Sequence, residues 1–105
     1  MGHLEKQCPV RTALDVIGGR WKPLILLAVR AAPARYSEIQ RDVPDISAQV
    51  LSKQLGQLTA DGVLGRLRVD ATVSYALTER GERLSRIMEL LEIWGSDYLT
   101  WRGHE

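Results

Sequence analysis

The stretch that decides the fold is RYSEIQRDVPDISAQVLSKQLGQLTADGVL, residues 35–64. Its second half carries Leu51, Leu55 and Leu58 at helical spacing, while the opposite positions Ala48, Gln49, Ser52, Lys53 and Gly56 are small or polar. That is the single apolar stripe of an amphipathic helix. Ser47 stands where a hydroxyl caps a first turn, and Ile46 before it is placed to staple onto Leu51. Asp61-Gly62 ends the segment, with glycine in the left-handed position that follows a helix. The first half predicts a shorter helix over residues 38–43, capped by Ser37, with Ile39 and Val43 inward. Pro44-Asp45 supplies the turn between them.

A short helix, a tight turn and a longer helix make a helix-turn-helix. Residues 63–69 and 72–77, rich in valine, threonine and tyrosine, read as two short strands around Asp70-Ala71. A hairpin placed directly after the longer helix is the wing of a winged helix. A terminal helix is predicted from Thr78, with Glu79 and Glu82 in its first turn, where they favour the positive end of the helix dipole. Leu84, Ile87, Met88, Leu91, Trp94, Tyr98 and Trp101 hold one stripe along it, widened by Leu90 and Ile93. This is more apolar surface than one small domain covers, so those seven stripe residues are the expected interface of a homodimer. Upstream, residues 9–17 predict a first helix with Val10, Leu14 and Ile17 on one face, ended by Gly18-Gly19. Residues 21–31, apolar nearly all round, predict the central helix. The expected fold class is α+β, mainly α. It is a single winged helix-turn-helix domain over residues 1–105, with a recognition helix at about 47–60, a two-stranded β wing at about 63–77 and a C-terminal dimerisation helix at about 78–101.

Composition removes most other functions. Of 105 residues 45% are hydrophobic, which suits a globular domain. No apolar run approaches the ~18–20 residues of a membrane span. MGHLEKQCPV lacks the apolar centre of a signal peptide, so a cytoplasmic protein is expected. Cys8 is the only cysteine, His3 and His104 lie at the two ends, and no Cys/His grouping has metal-ligand spacing. Gly18-Gly19-Arg20 lacks the lysine and hydroxyl of a phosphate loop. No enzyme, metal or cofactor is expected. Net charge is +1, but residues 1–34 hold five basic and two acidic side chains, residues 35–74 five of each, and residues 75–105 four basic and six acidic. The acidic excess gathers at the end of the chain, leaving the first two thirds compatible with DNA.

Several ordered blocks, CPVRTALDVIGGRW (8–21), LILL (24–27), RYSEIQRDVPDIS (35–47), LSKQLGQLTADGVL (51–64) and YALTERG (75–81), together with the tryptophan-bearing terminal helix, carry a family resemblance. From Cys8 to about Trp94 the chain resembles the HxlR-type winged helix regulators, relatives of the MarR-like group. The resemblance implies a homodimer that binds double-stranded DNA and regulates transcription, by repression rather than activation, with N-terminal segments and terminal helices at the dimer interface. Two departures stand out. The hairpin is short, with Thr72-Val73-Ser74 where the family commonly has an arginine, and Gly56 replaces a long polar or basic side chain.

Within this frame the candidate DNA-binding residues are Arg35, Tyr36, Ser37, Arg41, Ser47, Ala48, Gln49, Ser52, Lys53, Arg66 and Arg68. Gln49 offers the paired hydrogen bonds that suit adenine, and Lys53 reaches guanine or phosphate. Ser47 begins a helix whose N–H groups suit a phosphate. Arg35, Tyr36 and Arg41 are candidate phosphate contacts, although Tyr36 fits equally as half-core with its hydroxyl outward. The plainer reading of the whole face is a solvated polar surface, and a protein-interaction module is the alternative function. Cys8 matches a Cys-Pro position that some relatives use to sense oxidants or electrophiles, and the helix start, Lys6 and Arg11 favour its thiolate; it fits equally as a small interface residue. Trp21, Trp94 and Trp101 are candidates for lining an aromatic-effector pocket between subunits, or for core and interface.

Overall fold

The computed structural model describes residues 8–103; Lys6, His3 and His104 lie outside the described residues. Pro9, whose fixed φ and missing N–H cost nothing in a first turn, opens α1 (Pro9–Ile17). The next helix, α2 (Lys22–Ala28), is shorter than residues 21–31 because Val29 already leaves the helical region at φ −106°, ψ 6°. Pro33 shortly after disfavours helix at the residue before it. Ile25 and Leu26 of α2 are buried, whereas Leu24 faces solvent.

Then follow β1 (Ala34–Arg35), α3 (Tyr36–Asp42), α4 (Ala48–Ala60), β2 (Leu64–Val69), β3 (Thr72–Leu77) and α5 (Glu79–Gly103). The architecture is a mainly helical winged helix with a small antiparallel sheet. The expected two-stranded wing is present as β2 and β3, and β1 adds a third strand to the sheet, in the order β1-β3-β2. β2 and β3 pair from Leu64 opposite Leu77 to Val69 opposite Thr72, leaving Asp70-Ala71 as the loop. On the other edge of β3, Ala34 lies opposite Tyr75 and Arg35 opposite Ser74. A two-residue strand is too short to carry the alternating pattern that marks a strand in sequence. The turns use tolerant residues: Asp45 (φ 69°) between α3 and α4, Asp70 (φ 58°) at the hairpin tip and Gly62 (φ 75°) after α4.

The core draws on every helix, through Ile17, Ile25, Leu26, Ile39, Leu51, Leu55, Leu58 and Met88, with Val63 and Leu64 closing it beneath the sheet. Met88 corrects an expectation. Periodicity assigned it to an intersubunit stripe, but it is 7% exposed and belongs to the protomer's own core, because α5 must dock somewhere and Met88 lies on its docking side. Leu84 is half-buried against the same core. Among the described residues none after Met88 is buried. Arg30, just beyond the end of α2, pairs with Glu92 of α5 at 2.7 Å. No helix among the described residues is long and apolar enough to cross a membrane.

The joint between wing and α5 depends on close approach. Thr78 N–H donates to the Val63 carbonyl at 3.1 Å. The Thr78 hydroxyl donates to the Gly62 carbonyl and accepts from Gly81 N–H at 3.0 Å, capping the helix. Gly81 then sits so near the Val63 carbonyl that a Cβ would collide with it. Gly81→Ala, normally a stabilising change within a helix, is therefore expected to cost about 1–3 kcal/mol through overpacking. The urea midpoint checks this; an unchanged or higher midpoint contradicts the tight joint.

Candidate nucleic-acid interface

Leu51, Leu55 and Leu58 are almost wholly enclosed, at 0%, 2% and 0% exposure, and so fix which way α4 faces. Ser47, Ala48, Gln49, Ser52, Lys53 and Gly56 are all exposed on the remaining surface. The Ser47 hydroxyl accepts from Val50 N–H at 3.1 Å, which satisfies one donor of the first turn and leaves the N–H groups of Ala48 and Gln49 without a partner inside the helix.

Tyr36 is what ties α3 to this helix. Its ring packs on the core, and its hydroxyl donates to the Ala48 carbonyl at 2.7 Å and lies 3.1 Å from Ser52 Oγ. The hydroxyl therefore faces α4 rather than solvent. Lys22 Nζ donates to Gln57 Oε1 at 2.6 Å, a second tie from α2 that the sequence did not announce.

The start of α3 corrects another expectation. Ser37 is not the cap: pairing of β1 with β3 holds Arg35 extended at φ −79°, ψ 159°, so the helix begins at Tyr36 and places Ser37 inside the first turn. Arg35 N–H instead donates to Glu38 Oε1 at 2.8 Å, and its guanidinium reaches Oε2 at 3.3 Å. The backbone hydrogen bond from Arg35, then its side chain, hold the Glu38 carboxyl below its ordinary pKa. Arg41 is exposed in the last turn of α3, away from that end.

Arg66 lies opposite Tyr75, and Arg68 opposite Val73, on one face of the hairpin. An open cleft of about 350 Å³ separates the hairpin from α4, bordered by Tyr36, Ser52, Gly56, Arg66 and Tyr75. Tyr36, Ser52 and Arg66 are thus brought together, while Arg68 lies farther out along the wing.

Two further features lie elsewhere. Cys8 is a free, exposed thiol at the cap position of α1. Val10 and Leu14 of α1 are 69% and 54% exposed, and with Ile87 and Leu91 of α5 they border an apolar groove of about 340 Å³. Along α5, Trp94 stacks on Tyr98 at 5.5 Å and Tyr98 meets Trp101 at 5.6 Å. Trp21 belongs to a different environment: it packs on the core with Arg20 4.4 Å above its ring.

Comparison with known proteins gives a consistent result. The sequence profile of the HxlR-like helix-turn-helix family matches residues 16–102. An uncharacterised HTH-type transcriptional regulator of Methanothermobacter thermautotrophicus is 37% identical over 101 residues, spanning 93% of this chain and 77% of its own length. The HTH-type regulator YtcD of Bacillus subtilis is 39% identical over 94 residues, spanning 87% and 75%. Among solved structures, the redox regulator HypR in its reduced form superimposes with a TM-score of 0.83 at 34% identity, covering 92% of this chain and 99% of that one.

The Glu38 cap carries a pH signature. A carboxyl whose folded pKa is lowered stabilises the fold above the ordinary glutamate value, and that contribution is lost as pH falls through the folded value. Glu38→Gln is expected to flatten the acid limb of stability against pH while changing little near neutrality. A parent and variant with parallel acid limbs would show that the cap does not couple to folding.

Proposed function

The chain belongs to the HxlR-like helix-turn-helix family and is a transcriptional regulator of that type, and from that premise we propose that it represses transcription in the cytoplasm by binding a pseudo-palindromic operator as a homodimer. The observation that carries this reading is the outward strip of α4, held rigidly over three buried leucines. A helix of that kind fits the major groove with its N-terminal residues against base edges. Gln49 is assigned to a base, most simply adenine, and Lys53 to guanine or phosphate. Ser47 and Ala48 present the helix start to a phosphate. Arg35, Ser37 and Arg41 flank it from α3, Ser52 and Tyr36 set its position, and Arg66 and Arg68 bring the wing to the backbone.

Pairing is supported by the surface α5 leaves uncovered. Ile87, Leu90, Leu91, Ile93, Trp94, Tyr98, Leu99 and Trp101 are between 40% and 68% exposed, continuous with Val10 and Leu14 of α1. Covering most of them contributes on the order of 10 kcal/mol, enough to offset the cost of associating two chains. Two recognition helices then lie about one turn of DNA apart.

A fluorescence anisotropy titration with the DNA upstream of the chain's own gene tests the reading. Binding is expected to weaken steeply between 50 mM and 200 mM salt. Gln49→Ala is expected to cost about 1–3 kcal/mol and relax sequence preference, and Lys53→Ala to weaken all sequences alike. Trp94→Arg is expected to halve the sedimenting mass and take tight DNA binding with it. Weak binding that ignores salt and sequence would instead favour a protein-interaction module.

Cys8 supports a second proposal. HypR, called a redox regulator, is solved in both reduced and oxidised forms, and Cys8 offers an exposed thiol at the start of α1. With one cysteine per chain, two Cys8 thiols of a dimer can join by giving two electrons and two protons to an oxidant such as peroxide, or one thiol can be alkylated by a small electrophile. Thiol labelling of the native protein is expected to be faster than labelling of the unfolded chain; equal or slower labelling leaves Cys8 a simple interface residue.

A further inference from the structure

Gly56 sits in the middle of α4, a thirteen-residue helix, and is exposed. Glycine there weakens a helix relative to alanine. No neighbour among the described residues requires it. Its φ is not in the left-handed region, and a Cβ built on it meets nothing within 4 Å. A side chain there would have room within the protomer, so its absence leaves the surface of α4 open to a group from outside. Gly56 also lies on the border of the cleft between α4 and the wing, one turn beyond Ser52 and three residues beyond Lys53 on the outward strip.

The groups facing Gly56 across that cleft are donors. Arg66 makes no ion pair or hydrogen bond among the described residues, and neither does the Tyr75 hydroxyl. The two lie directly opposite each other in the hairpin and so share a face. Ser52 adds a hydroxyl already oriented by Tyr36. Among the described residues no acidic side chain borders the cleft. A cationic side chain with hydroxyls around it and no carboxylate suits an anion.

Resting on the DNA-binding reading above, we propose that this cleft seats one sugar-phosphate unit of the operator strand beside the groove that α4 enters. Arg66 and Tyr75 hold its phosphate, Ser52 supports it, and Gly56 lets the backbone approach α4 closer than any side chain would permit. The short wing thereby grips DNA at its base instead of through an arginine at its tip.

The test pairs stability with affinity, so that unfolding cannot imitate loss of contact. Gly56→Ala is expected to raise the urea midpoint and yet weaken operator binding by at least about fivefold, the low end of what one obstructing methyl does in a close contact. Arg66→Ala is expected to weaken binding and lower the salt slope by about one phosphate's worth. Tyr75→Phe is expected to weaken binding with little change in midpoint. If Gly56→Ala binds as tightly as the parent while Gln49→Ala still loses affinity, the cleft proposal is wrong and the recognition-helix reading stands. If the parent itself shows no salt-dependent, sequence-dependent binding, both fall together.

Discussion

The burial of Leu51, Leu55 and Leu58 is the constraint on which the rest depends. Three leucines on one face of a helix, enclosed in a core that α1, α2, α3 and α5 also enter, fix which face of that helix turns inward. Removing any one of them would open a cavity costing several kcal/mol, about 2–5. Because the inner face is fixed by packing, the outer face is fixed by geometry, and Gln49, Ser52, Lys53 and Gly56 must look outward. The hydroxyl of Tyr36, bonded to the Ala48 carbonyl, adds a polar register to the apolar one. It sets how far α4 slides along α3, which packing alone does weakly.

The same reasoning exposes an imbalance at the other end of the chain. α5 runs for 25 residues, about 37 Å at the rise of an α-helix, but among the described residues its core packing lies in the first half, around Gly81, Leu84 and Met88, with the Arg30–Glu92 pair just beyond. Its second half keeps two tryptophans, a tyrosine and several aliphatic residues in solvent. α1 repeats the pattern, burying Ile17 alone. The proposed recognition surface is small, with few long side chains and a short wing, and the proposed function strengthens its binding by using it twice. The apolar half of α5 is the means proposed for doing so.

Much of this was legible in the sequence, because it is written in local periodicity and punctuation. The leucine spacing of α4, the Ser47 cap, Gly62 after the helix and the paired β-rich runs each leave a signature within a few residues. What escaped reading depends on contacts distant in sequence. Ser37 looked like a cap because it is a serine before an apolar pattern, but β1 pairing moved the helix start to Tyr36. Met88 looked identical to its neighbours on the α5 stripe, and only docking showed that it faces inward. The Tyr36 hydroxyl bond and the collision course between Gly81 and Val63 have no one-dimensional trace. Gly56 is the opposite case: the family resemblance marks it as a departure, and the structure places it on the border of the cleft between α4 and the wing.

The central claim is that two copies of α4 read DNA in adjacent major grooves. Selection of bound sequences from a random double-stranded pool, followed by sequencing of the survivors, tests it most directly. The account predicts an inverted repeat whose half-sites are centred about 10–10.5 base pairs apart, with the preference at one position per half-site lost on Gln49→Ala. A pool that yields no enriched motif, or a single unrepeated one indifferent to Gln49, would contradict it.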